Sequence, residues 1–145
     1  MVIHVAIGIA MNTNPGYAVI AAAVMRQGTP VRTCRVESIV TCNEAYWMAL
    51  EMALDRLNGR AAVIHTNSTI IARTNPYRIW RWSHSYEESA NRSLQRLRET
   101  GSEVRHTRTK DLRVQTSEAN WVRWVSAQAV NALRDWQDVL SEVSG

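Results

Sequence analysis

The stretch YRIWRWSHSY, residues 77–86, interleaves Arg78 and Arg81 with Tyr77, Trp80, Trp82 and Tyr86. Guanidinium groups pair with phosphate oxygens and aromatic faces stack on bases or sugars, so this pattern suits a nucleic-acid surface. The same two tryptophans read equally well as core; two apart on a helix, they point in different directions. Other reactive chemistry is sparse. The sequence has no glycine-rich phosphate loop, no Ser-His-Asp set and no Cys-His cluster. Cys34 and Cys42 lack metal-ligand spacing and read as reduced thiols. His106, between Arg105 and Arg108, has no metal-binding neighbours in the sequence and is a poor candidate for a catalyst. These residues imply neither a cofactor nor a metal.

Charge distribution points the same way as the aromatic stretch. The chain carries a net charge of +4, and residues 73–113 hold nine Arg and one Lys against four Glu and one Asp. A basic surface on one part of the fold, suited to acidic partners, is the expectation. The longest apolar run, Tyr17 to Met25, is shorter than the roughly 20 residues of a membrane span, and no signal segment opens the chain. An intracellular protein without membrane contact is expected, and its 145 residues suit a single domain, 1–145.

The elements that must position these groups are legible from periodicity. Val2–Met11, Tyr17–Met25 and Val31–Ile39 read as three antiparallel strands, the first buried on both faces apart from His4. Thr41-Cys42-Asn43-Glu44 has the capping-box pattern of a helix start, and Ala45, Met48, Ala49, Met52, Ala53 and Leu57 carry that helix to Asn58-Gly59. Ala61–His65 is a short buried strand. Helices are expected at 68–73 and 86–99, then an edge strand at Glu103–Thr109. A long amphipathic helix from Asn120 has a stripe running through Trp121, Trp124, Val125, Ala129, Leu133, Trp136 and Leu140. The order β-β-β-α-β-α-α-β-α implies a mixed five-stranded α/β sheet with helices on both faces.

Four local stretches, in the right order on the right elements, resemble the ribonuclease H family: Gly8 with Asn14-Pro15-Gly16, TCNEAYWMALEMAL, VIHTNS, and SEANWVRWVSAQA. The resemblance implies the ribonuclease H-like three-layer fold over nearly the whole chain. It also implies where the family's four metal-binding carboxylates would fall: on Ile7, Tyr46, Asn67 and Trp124, none of them a carboxylate. Magnesium prefers charged oxygen ligands, and these four side chains offer at best neutral ones. The expectation is therefore no catalytic residue, no metal and no enzyme, with Ile7, Tyr46 and Trp124 filling the former cleft.

By the same resemblance Asn14, Asn43 and Thr69 fall near positions that touch a nucleic-acid backbone, and Lys110 lies in the loop where the family carries a mobile histidine. Turn and capping chemistry explains the asparagines as well. With Arg78, Trp80, Arg81 and Trp82 they make up the candidate nucleic-acid contacts. The expected function is a catalytically silent, virus- or retroelement-derived module that binds RNA or RNA–DNA hybrid or scaffolds a complex. A protein-interaction or homodimerisation module, with its six tryptophans at an interface, is the alternative. A nuclease with relocated carboxylates, Glu44, Asp111 and Glu118, is the third.

Overall fold

Alternation along two apolar strands decides the architecture. The computed structural model describes residues 2–26, 29–74 and 87–144. Strand β1 (Ile3–Met11) pairs antiparallel with β2 (Gly16–Arg26), Val5 opposite Val24 and Met11 opposite Ala18. Along β2, Ala18, Ile20 and Ala22 enter one core while Val19, Ala21 and Ala23 enter the other. A strand with apolar side chains on both faces needs a cover on each side. Helix α1 (Cys42–Leu57) and α3 (Glu87–Thr100) supply one cover, and α4 (Ser117–Ser144) supplies the other.

The sheet has five strands in the order β3-β2-β1-β4-β5, where β3 is Thr29–Val40, β4 is Ala62–Thr66 and β5 is Glu103–His106. β3 is antiparallel to β2; β4 is parallel to β1, Val5 facing Ile64, and β5 is parallel to β4. The short helix α2 (Thr69–Arg73) follows β4 directly, its Ser68 cap accepting from the Ile71 N–H. All nine elements occur in the expected order. Among the described residues, no helix is long and apolar enough to cross a membrane.

Local signals held where they were chemical. Thr41 and Glu44 form the reciprocal capping box, with N···O distances of 3.2 and 3.1 Å, and α1 ends at Asn58 in the left-handed region. Boundaries moved where tertiary contacts decide. β5 stops at His106, not Thr109, because after the Thr107 N–H bonds to the Thr66 carbonyl the chain turns away from β4. α4 starts at Ser117, three residues before the expected Asn120, because Thr116 caps it through its side-chain oxygen to the Ala119 N–H. Among the described residues, three of the four tryptophans belong to the core or pack against it. Trp47 is wholly buried in the core under α1, and Trp121 and Trp136 pack against the core under α4.

Two features tie α4 to the sheet. A Cβ placed on Gly8 would lie 2.6 Å from Ser126 Oγ and 3.0 Å from Ser126 Cα, so the helix backbone rests directly on β1 at its only residue without a side chain. Beside this contact, His4 Nδ1 and His65 Nε2 lie 3.0 Å apart, and Trp121 packs against both rings. Burial, and after it the neighbouring His4, holds the His65 imidazole below its ordinary value of 6.5. Glu118 and Glu103 pull it upward and Arg105 downward, by weaker effects.

Gly8→Ala is therefore expected to destabilise the fold by about 1–3 kcal/mol, the cost of overpacking. Adding Ser126→Gly should recover part of the lost melting temperature, and an equal loss in both backgrounds would show that α4 does not rest on Gly8. His65 makes a pH prediction with a definite sign. As pH falls below about 6.5 the unfolded state takes up the proton that folded His65 resists, so stability declines with acid over that window. Melting curves between pH 7 and 5 should show a steeper decline for the wild type than for His65→Leu.

Candidate nucleic-acid interface

Parallel strands leave a crevice at their carboxyl ends, and β4 and β5 do so here. The first turns of α1 close one side, the start of α2 the floor, and the connection between β5 and α4 the other side. The resulting cleft, about 680 Å³, is lined by Tyr46 and Asn67, by Thr69, and by His106 to Asp111. Tyr46 donates its hydroxyl hydrogen to Asn67 Oδ1 at 2.7 Å, and Asn67 Nδ2 donates to Thr109 Oγ1 at 3.3 Å. A chain of neutral polar groups thus spans from α1 through the end of β4 to the loop. Burial, with Cys42 adding to it, pushes the Tyr46 phenol up to about 12, so the hydroxyl keeps its proton at neutral pH.

The loop itself is basic and tightly folded. Asp111 accepts two side-chain hydrogen bonds from Arg113, with N···O distances of 3.1 Å, and one from the Arg113 backbone N–H at 3.0 Å. These bonds hold its carboxyl below the usual range. Arg108 approaches the same carboxylate at 3.9 Å and is largely exposed. Lys110, exposed at the cleft, has no ion pair among the described residues. The cleft therefore presents positive charge beside a row of hydroxyl and amide groups.

Of the expected contacts, the structure brings Thr69 and Lys110 to this cleft, together with Tyr46 and Asn67. Asn14 and Asn43 do not line it. The Asn14 side chain accepts from the Cys42 N–H at 3.0 Å and so fastens the β1–β2 turn to the start of α1. Arg78, Trp80, Arg81 and Trp82 lie outside the described residues. Arg92 and Arg96, part of the basic segment, face α1 instead and pair with Glu51 at 2.9 Å and Asp55 at 2.7 Å. Their charge is neutralised away from the cleft.

The four mapped positions do not all behave as expected. Ile7 is wholly buried with Tyr46 packed against its cluster. Trp124 corrects the expectation: it is 36% exposed and fills no cleft. The inward stripe of α4 runs through Val122, Val125, Ala129 and Leu133, and the close contact at Gly8 leaves room there for Ser126 but not for an indole. The cleft thus remains open. The mapped positions do not supply ligands for a divalent ion: Ile7 has no oxygen, Tyr46 holds its proton, and Asn67 already uses its carbonyl to accept from Tyr46. Relocated carboxylates do not converge either. Glu44 is engaged in the capping box, Asp111 lines the cleft, and Glu118 lines a neighbouring groove with His65, on the other side of the shared His106–Arg108 wall. Among the described residues, no three His, Cys, Asp or Glu side chains are grouped to hold a metal.

No protein-family model matches the sequence, and no curated protein does. Solved structures match its fold. LC11 ribonuclease H1, isolated from compost and solved in complex with an RNA/DNA hybrid, superposes with a TM-score of 0.64 at 20% identity, over 77% of this chain and 89% of that one. Ribonuclease H1 from the halophilic archaeon Halobacterium salinarum gives 0.63 at 16% identity, over 91% and 99%. The prototype foamy virus protease–reverse transcriptase gives 0.70 at 11% identity, over 90% of this chain and 20% of that one. These neighbours overturn the expectation that the chain is no enzyme. The frame it shares is that of ribonucleases H1, and the four side chains argue only against a divalent ion at their own positions, not against activity. From the strand order, the helices on both faces and these superpositions, the chain has the ribonuclease H-like fold.

Proposed function

We propose that this protein binds a nucleic-acid duplex, in the first instance an RNA–DNA hybrid, across the cleft formed by Tyr46, Asn67, Thr69 and the Arg108–Asp111 loop. The observation that carries this reading is the placing of an exposed cation, Lys110, with no ion pair among the described residues, beside a spanning row of neutral hydrogen-bonding groups at the carboxyl ends of β4 and β5. Phosphate oxygens accept from lysine and from hydroxyl and amide donors, and ribose hydroxyls both donate and accept, so such a row suits a sugar-phosphate backbone. The likeness to LC11 ribonuclease H1, whose structure holds an RNA/DNA hybrid, supports the choice of ligand. The likeness to a foamy virus reverse transcriptase supports a viral or retroelement origin as part of the same reading.

Arg78, Arg81, Trp80 and Trp82 belong to the proposal as further contacts, on the strength of their residue types. The reading concerns binding; any cleavage of a bound strand would draw on groups other than the four mapped positions. The affinity for a short labelled hybrid should fall steeply with salt, each neutralised phosphate contributing about 0.9 to the log–log slope. Lys110→Gln should flatten that slope by about 0.9 and leave the melting temperature unchanged, because an exposed charge contributes little to stability. Titrations by fluorescence anisotropy at 50 and 200 mM salt check both. No binding at the lower salt, or binding indifferent to Lys110, would remove this reading.

A further inference from the structure

The connection between β5 and α4 has almost no regular structure, yet it carries Arg108 and Lys110. Its backbone carbonyls need partners, and one side chain supplies three of them. Arg123, half-buried on the second turn of α4, donates from Nε to the Thr109 carbonyl at 3.2 Å, from Nη2 to the Asp111 carbonyl at 2.9 Å, and from Nη1 to the Val114 carbonyl at 2.7 Å. Nη1 also reaches Asn120 Oδ1 at 3.2 Å. The planar guanidinium fixes its N–H directions, so four acceptors met at once define the path of the loop in a way a lysine could not. The loop is pinned at its other end by the Thr107 N–H to the Thr66 carbonyl and by Asn67 to Thr109.

We propose that Arg123 is a positioning residue for nucleic-acid binding: it clamps the Thr109–Val114 backbone onto α4, so that Lys110 and Arg108 stand over the cleft before a duplex arrives. This rests on the reading that the cleft binds a phosphodiester backbone. Three of the five Arg123 N–H groups are directed at loop carbonyls and a fourth at Asn120, so its main effect on a ligand runs through the loop rather than through contact. A loop ordered in advance does not lose its freedom on binding, and that is where the affinity arises.

The test uses Arg123→Met and the milder Arg123→Lys, each alone and combined with Lys110→Gln, with two readouts. Amide hydrogen exchange of the free protein should show the Lys110–Val114 amides opening about tenfold faster or more in both single variants, while β1 and the middle of α4 keep their protection. Unchanged loop exchange overturns the clamp whether or not the protein binds nucleic acid. Hybrid affinity should fall in both Arg123 variants. Lys110→Gln should then weaken binding by about threefold less in the Arg123→Met background than in the wild type, because a displaced loop has already lost its lysine contact. Full affinity in Arg123→Lys, or strictly additive losses, would show that Arg123 contributes charge alone and would overturn the positioning role. A wild type that binds no hybrid removes the binding reading and with it that role, while the exchange data still decide whether the clamp exists.

Discussion

The absence of a side chain at one residue of the central strand sets the geometry of the whole α4 layer. At Gly8 the helix comes close enough for Ser126 Cα to stand 3.0 Å from where a Cβ would be. Such an approach is possible because β1 and β2 present small residues to that side: Ala6, Ala10, Ala21 and Ala23. With α4 pressed to the sheet, its first turns pass beside the ends of β4 and β5. That height is what lets Arg123 reach the loop carbonyls and what leaves Trp124 turned to solvent. A larger residue at position 8 would therefore act on the cleft indirectly, by moving the helix that holds its rim.

Charge is sorted by the same packing. The basic middle of the chain divides between two environments once α3 lies against α1. Glu51 takes Arg92, with Ser89 assisting; the hydrogen bonds from both hold its carboxylate below its ordinary range although burial works in the opposite direction. Asp55 takes Arg96. Exposed pairs of this kind contribute little to stability. They matter because they withdraw two guanidinium groups from the side that faces the cleft. Among the described residues, the cleft keeps Lys110, which has no ion pair there, and Arg108, loosely paired with an Asp111 that Arg113 already engages.

The interior of the cleft is polar without being charged. Tyr46, Asn67 and Thr109 satisfy one another in sequence, a donor meeting an acceptor at each step. Buried polar groups are tolerable only when paired, and this chain pairs them while tying three separate elements together. The cleft stays open because the third bulky residue expected to close it does not point inward. A neutral polar wall and a basic rim are then a surface for a ligand that is anionic outside and hydrogen-bonding throughout.

Sequence alone determined the element order, the capping box at Thr41 and Glu44, the apolar run that buries β1 on both faces, and the resemblance on which the fold assignment rested. These are local properties: a period of two or of 3.6, or a side chain that bonds its own backbone neighbours, is written within a few residues. It also placed Thr69 and Lys110 at the candidate site by resemblance. Tertiary structure decided the rest. Nothing in SEANWVRWV distinguishes the inward Val122 and Val125 from Trp124, because a stripe of apolar residues fixes the face of a helix only to within the width of a side chain, and the contact at Gly8 chooses the rotation. No sequence signal marked Arg123, since its partners are backbone carbonyls nine to fourteen residues away and carbonyls carry no sequence identity. Whether Arg92 and Arg96 serve a ligand or a neighbouring helix depended likewise on which acidic residues the fold set opposite them, and a composition count cannot contain that.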